Sequence, residues 1–352
     1  MKKNLFILAV GGGFLALASC SNDETVAENN TVNQPREIAF SPLAQKATRA
    51  ASATTAAVAD ATYPDELTMQ VAAYSFPKTS AWAAGGYFDK TPFNGTNSTS
   101  WKGTPARYWP LSDAYVSFLA VAGVDAEDVS FTASTFASGA TVTYDVASFT
   151  AQTDLMYSGK QEEVTKSGNM LTYPDDVDME FKHALAWLQF KIRVPNAATY
   201  GDAIDVTSIV VNGAYQTGTF TITNTGYDTA GDPTPTGTWG SFGSATATTV
   251  PSSAYSSTLP NDNSYADCGS VLLVPQASPT TSFTSFTINY TINDKAYSFE
   301  YTPASTVLAQ ATKYIYQITF KLTEIEIDPV VVTWSDGGTT NFDIPTEPAP
   351  EP

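Results

Sequence analysis

The segment Met179-Glu180-Phe181-Lys182-His183-Ala184-Leu185-Ala186-Trp187-Leu188-Gln189-Phe190-Lys191-Ile192-Arg193-Val194 carries the strongest apolar patterning in the chain. From Leu188 onward, Leu, Phe, Ile and Val alternate with Gln, Lys and Arg, the period-two pattern of a half-buried strand. Residues 181–187 before it fit either a helical turn or a second strand. Working outward, short apolar runs bounded by Gly, Pro, Asn or Ser predict strands at 67–76, 106–109, 115–122, 140–144 and 154–158. On the other side they predict strands at 204–212, 218–223, 269–274, 282–292, 295–301 and 314–322, with Asn293-Asp294 as a hairpin turn. Many short strands at this spacing predict an all-β chain built of sandwiches. Residues 223–267 are rich in Thr, Ser, Gly and Pro, with Trp239, Phe242 and Tyr255 the main large apolar side chains. They read as extended surface loops with room for one short strand.

Composition agrees with the strand pattern. Charged residues make up only 15% of the 352, while Thr, Ser, Tyr and Phe are abundant. The formal net charge is -18, from 17 basic and 35 acidic residues. A surface this acidic repels phosphates, which argues against nucleic acid and anionic lipid heads as partners.

The front of the chain reads as an export signal. Lys2 and Lys3 precede an apolar run over residues 5–17, too short to span a membrane, which ends in Leu17-Ala18-Ser19-Cys20. That tetrapeptide is the context in which a lipoprotein signal peptidase cuts before a cysteine bearing diacylglycerol, so Cys20 is expected to become the acylated first residue in the outer membrane of a Gram-negative cell. Cys268 is the one other cysteine, so no internal disulfide is expected, and it reads as a small buried hydrophobe. Residues 21–34 are polar and acidic and read as a tether. Glu37-Ile38-Ala39-Phe40-Ser41 then alternates as a short strand. Gln45-Lys46-Ala47-Thr48-Arg49-Ala50 follows, ahead of an Ala/Thr-rich stretch with no large side chain to pack, which leaves Arg49 accessible to a protease.

At the other end, Ile325 and Ile327 share one strand parity. Pro329 follows, and Val330, Val332 and Trp334 take the opposite parity, continued by Phe342 and Ile344 after Gly337-Gly338. Because proline removes a ladder donor, two strand segments with a kink between them are expected.

Catalytic and metal chemistry find little material. Such a centre needs converging His, Cys, Asp or Glu, and the chain offers one histidine, His183, and one cysteine beyond Cys20. His183 reads as a hydrogen-bonded structural residue. Asp175, Asp176 and Asp178 offer oxygens for calcium but lack the glycine and terminal glutamate of a known loop, and read as a solvated acidic turn. Trp82, Trp101, Trp109 and Trp239 are too scattered to read as a sugar-stacking platform. No enzyme activity, no metal and no cofactor are expected.

Taken together and in order, several segments resemble the fimbrillin family of Bacteroidetes, the subunits of lipoprotein-derived type V pili. They are the Cys20 context, the strand at Ile38 to Phe40 ahead of Ala47-Thr48-Arg49-Ala50, and Arg107-Tyr108-Trp109-Pro110. Asp154-Leu155-Met156-Tyr157-Ser158, Phe181-Lys182-His183-Ala184-Leu185-Ala186 and Leu272-Leu273-Val274-Pro275-Gln276 continue the match. Tyr314-Ile315-Tyr316-Gln317-Ile318 and Val332-Thr333-Trp334 complete it.

The resemblance implies two transthyretin-like β-sandwich domains in tandem, and a precursor cut at the surface by an arginine-specific protease. In this sequence the cut falls between Arg49 and Ala50 and removes the strand bearing Ile38 and Phe40. The vacancy would be filled by a donor strand from another copy or a related fimbrial subunit, and the donor expected here carries Ile325, Ile327, Val330, Val332, Trp334, Phe342 and Ile344. The expected divisions are a signal peptide at 1–19, a tether and pro-segment at 20–49, and domains at 50–178 and 179–352 with the donor segment at the end. The expected place is the outer membrane first and the extracellular fimbrium afterwards, serving adhesion or biofilm formation through a host or bacterial receptor. A stalk position is preferred to a tip or an anchor, because the Arg49 site and a long C-terminal strand segment are both present. The rival reading is a monomeric outer-membrane glycan-binding lipoprotein that keeps residues 20–49 and binds through the loops at 223–267.

Overall fold

A computed structural model describes residues 35–44, 67–78, 86–95, 100–132, 139–145, 153–194, 204–225, 234–250, 264–276, 283–292, 294–304, 307–320 and 325–333. The chain is all-β, and a single 3-10 turn at Ala126–Asp128 is the one helical element among the described residues.

The first ten strands are β1 (Ala39–Ala44), β2 (Met69–Pro77), β3 (Gly86–Asn94), β4 (Trp101–Gly103), β5 (Ala114–Ala122), β6 (Val129–Phe131), β7 (Ala140–Asp145), β8 (Met156–Ser167), β9 (Met170–Thr172) and β10 (Val177–His183). Eight of them form one sheet in the order β10-β1-β4-β3-β2-β5-β8-β9. β10 also pairs with β8, through Lys182 with Tyr157 and His183 with Met156, so seven strands close into a ring. The ring encloses an aromatic core in which Phe40, Phe93, Trp101, Trp109, Phe118 and Phe181 are all buried.

The second half supplies β11 (Ala186–Arg193), β12 (Ile204–Tyr215), β13 (Thr217–Thr225), β14 (Thr234–Gly240), β15 (Ala245–Thr249), β16 (Ala266–Leu273), β17 (Ser285–Ile292), β18 (Lys295–Tyr301), β19 (Thr312–Phe320) and β20 (Ile325–Thr333). Sheets β16-β11-β19-β20 and β15-β12-β17-β18 enclose a second core around Phe190, Phe286 and Tyr316. β17 and β18 form the hairpin expected at 293–294, and Asp294 takes the positive φ of 64° that such a tight turn requires.

A third layer joins the halves. β13 and β14 pair with β7 and β6 in a sheet ordered β14-β13-β7-β6. Its Val129, Val142, Phe220 and Ile222 pack with Ala72, Tyr74, Leu119 and Val121 of β2 and β5. β2 and β5 are therefore covered on both sides, which is why Ala114–Ala122 reads as a nearly continuous apolar run. The division expected after Asp178 falls inside β10, and the pairing of β7 with β13 crosses it. The turn out of the ring lies at Ala184-Leu185, where small and apolar side chains carry no polar punctuation to mark it in the sequence.

Several sequence expectations differ locally. β14 and β15 lie where loops with room for one short strand were expected. β14 is held because Gly237 leaves room for the Phe220 ring, which would stand 1.9 Å from an added Cβ. β3 and the short strands β4, β6 and β9 were not expected, and Tyr108 makes only an isolated bridge to Glu37 where a strand was expected at 106–109. β20 runs unbroken through Pro329, which lies opposite Tyr316 in continuous register with β19, and this corrects the expected kink. A strand at a sheet edge has one side that needs no donor, so proline is tolerated there.

Candidate functional site

β1 is a wall strand of the ring. It runs parallel to β10 from Phe40 opposite Val177 to Ala44 opposite Phe181, and antiparallel to β4 through Ala39 with Lys102 and Phe40 with Trp101. Just before it, Ile38 N donates to Arg107 O at 2.7 Å and Trp109 N donates to Arg36 O at 2.9 Å. Ile38 and Phe40 are both 0% exposed. The Phe40 ring meets Phe93 and Phe118 edge-on, at centroid distances of 4.7 and 5.1 Å. Burial of each of these two side chains is worth about 1.5–3 kcal/mol.

Polar contacts hold the entry of the strand. Lys102 Nζ donates to Glu37 Oε2 at 2.9 Å, and the neighbouring carboxylate holds the lysine pKa above its usual value. Arg36 pairs with Asp175 at 3.1 Å. Asp176 accepts a hydrogen bond from Ser100 Oγ. The acidic turn is solvated, with the Asp175 side chain 99% exposed, so this surface pair adds little to the hold on β1. No group of metal-ligating residues occurs among the described residues.

β20 contrasts with β1. It pairs with β19 alone, from Phe320 opposite Ile325 to Thr312 opposite Thr333. Ile327 packs on the sandwich core, Val330 is half-buried opposite Ile315, and Val332 pairs in register with Lys313. Val331 is 51% exposed although it lies opposite Tyr314, a side chain packed on the core. Withdrawing β20 breaks one ladder, whereas withdrawing β1 breaks two and opens the ring. Cys20, Arg49, Ala50, Trp334, Phe342 and Ile344 lie outside the described residues, as does Trp82.

The remaining candidates fall into the cores. Trp101 and Trp109 fill the ring, and Trp239 packs on the joining layer with its Nε1 donating to Ala184 O at 2.7 Å. Cys268 is buried in the sandwich and burial pushes its thiol pKa up to about 12. His183 is buried with its Nδ1 2.5 Å from Asp154 Oδ2. Burial raises the pKa of that carboxyl, while His183 pulls it back down. Sequence reasoning assigned His183 a hydrogen-bonding role without finding this partner 29 positions away. The signal available was that both residues sit in segments carrying the family resemblance.

A fimbrillin-like family model matches residues 37–334. Comparison with curated proteins found no match. Among solved structures, the chain is similar to a candidate cell adhesion protein from Bacteroides ovatus, at 12% identity and a TM-score of 0.51 over 86% of this chain and 99% of that one. It also matches a candidate cell adhesion protein from Bacteroides uniformis at 18% identity and a TM-score of 0.48, covering 85% of this chain and 99% of that one. A third match is a fimbrial protein from Bacteroides vulgatus at 15% identity and a TM-score of 0.48, covering 85% of this chain and 100% of that one. The family match spans the ring, the joining layer and the sandwich from β1 to β20, and on it the chain belongs to the fimbrillin-like family.

Proposed function

We propose that the protein is a structural subunit of a cell-surface fimbria, exported as a lipoprotein acylated at Cys20, cut after Arg49 and polymerised by exchange of a donor strand for β1. The observation that carries this reading is the placement of β1, an internal strand of a closed ring with Ile38 and Phe40 fully buried and its backbone paired on both sides. Loss of such a strand leaves a groove walled by β10 and β4 and floored by Trp101, Phe93, Phe118 and Met179. Bare ladder groups beside apolar pockets are costly to expose and recruit an added strand.

β20 suits the donor role because it is an edge strand that leaves its own sheet by breaking one ladder. Its apolar residues lie on both parities, so the segment has a second apolar row to offer a groove. Membership of the fimbrillin-like family supports this reading. The outer membrane holds the precursor through its lipid, and an arginine-specific protease and further subunits are the partners in maturation, with adhesion to a host or bacterial receptor the outcome.

The test is truncation of residues 328–352. The expected product is a folded monomer that accepts a donor but cannot donate, and so terminates chains. Normal polymers from the truncated chain would overturn the donor assignment.

A further inference from the structure

Two segments of the sequence that the strand-exchange reading leaves unused, Asp154-Leu155-Met156-Tyr157-Ser158 and Phe181-Lys182-His183-Ala184-Leu185-Ala186, meet in the structure. Their meeting point is the passage from ring to sandwich. His183 ends β10, Ala184-Leu185 turns the chain, and Ala186 begins β11.

Each carbonyl of that passage is held, two of them by the turn ahead of β19 and one by β14. Gln310 Nε2 donates to His183 O at 3.3 Å and to Tyr157 Oη at 3.0 Å. Trp239 Nε1 donates to Ala184 O at 2.7 Å, and Ala311 N donates to Leu185 O at 2.9 Å. Ala184 N in turn donates to Leu155 O at 2.8 Å. Ala311 takes a positive φ of 52°, a conformation an alanine adopts only where its surroundings impose it. The His183 imidazole is tied across the ring seam to Asp154 at 2.5 Å, with both side chains 0% exposed. Asp154 Oδ1 has no hydrogen-bond partner among the described residues. A buried charge-bearing pair left partly unsatisfied is poor as a source of stability and suits a role in fixing one arrangement against others.

We propose that the Asp154–His183 pair is a latch across the ring seam, tying the chain ahead of β8 to the end of β10 and so fixing where the His183-Ala184-Leu185 passage leaves the ring. The consequence for a fimbria rests on the function proposed above. β10 walls the β1 groove and otherwise pairs only with β8 among the described residues, so the latch holds that wall in place when β1 leaves. His183 and Asp154 are positioning residues in this account.

The latch is tested on the full-length monomer, independently of polymerisation. Because His183 is the only histidine, proton NMR should show one slowly exchanging imidazole proton far downfield of the amides, lost in Asp154→Ala. Amide hydrogen exchange along β10 should be slow in the native chain and about tenfold or more faster in His183→Gln, as the seam opens. Val142→Ala removes apolar bulk from the joining core without touching the seam and should not single out that strand. Should His183→Gln not fold, Asp154→Asn, which keeps the shape of the side chain, must give the faster exchange. Unchanged exchange along β10 in whichever of these two variants folds, or an imidazole proton that exchanges with solvent as fast as an exposed one, overturns the latch. Loss of polymerisation with both readouts as expected counts against the strand-exchange reading and leaves the latch standing.

Discussion

The Phe40 ring stands edge-on to the Phe93 ring, with centroids 4.7 Å apart and planes at 89°. A residue of the first strand thereby reaches past its neighbour β4 to β3, the strand that carries Phe93. Aromatic pairs in this geometry contribute about 0.5–1.5 kcal/mol beyond the area they bury.

Truncating Phe40 should therefore unsettle the whole ring. Phe40→Ala is expected to lower the stability of the uncut chain by about 3–5 kcal/mol, read as a lower denaturant midpoint. The same substitution should hasten departure of the strand once the chain is cut, because fewer contacts hold it.

The buried Asp154–His183 pair predicts a large effect from a single side chain. Asp154→Ala leaves His183 without its carboxylate in a site closed to water, and should cost about 3–5 kcal/mol. A change below about 1 kcal/mol in urea unfolding would contradict the pairing.

Gly123 predicts a backbone effect beside the same pair. Its φ of 87° lies in the region that side chains avoid, and an added Cβ would stand 1.9 Å from Asp154 O. Gly123→Ala should destabilise by about 2 kcal/mol or more, since neither the strain nor the backbone clash can be relieved locally. Equilibrium unfolding of the variant checks it.

Lys313 predicts an alkaline signature. It is 5% exposed, its Nζ lies 3.7 Å from the centre of the Trp187 ring, and burial pushes its pKa down to about 8 from an ordinary 10.5. Between those values the unfolded chain binds a proton that the folded chain releases, so stability through this group rises with pH over that window. As pH falls through about 8 the gain is lost. The full swing is on the order of 3 kcal/mol. Buried Tyr74 and Tyr144, whose pKa values are raised, act oppositely above their ordinary value of 10. Midpoints measured at pH 7, 8, 9 and 10 should climb in the native chain and stay flatter in Lys313→Met.

The strands were legible where an apolar or alternating run is bounded by turn residues. Lys295–Tyr301 was read with its bounds, and β5, β7 and β17 nearly so, although β5 is buried throughout and only β7 alternates cleanly between buried and wet. β14 and β15 were read as loops with room for one short strand, since Thr and Gly supply little hydrophobic contrast; β14 pairs with the adjacent β13, while β15 finds β12 across two intervening strands. β8 extends to Ser167 through Lys160, Glu162 and Glu163, charged residues that pattern reading excludes but that a solvated stretch of strand accepts. The joining layer was invisible for the same reason, because nothing local in β7 announces that β13 will lie beside it. At the candidate site, Ile38 and Phe40 were legible as a strand. Its walls β10 and β4, and the Asp154 partner of His183, required the folded chain.

The most direct test of the central claim is to sequence the N-terminus of the protein taken from the cell surface and run the same material unheated on a denaturing gel. The account predicts Ala50 as the first residue and a ladder of multimers that collapses on heating. A surface form that still begins at acylated Cys20 and runs only as a monomer would contradict it.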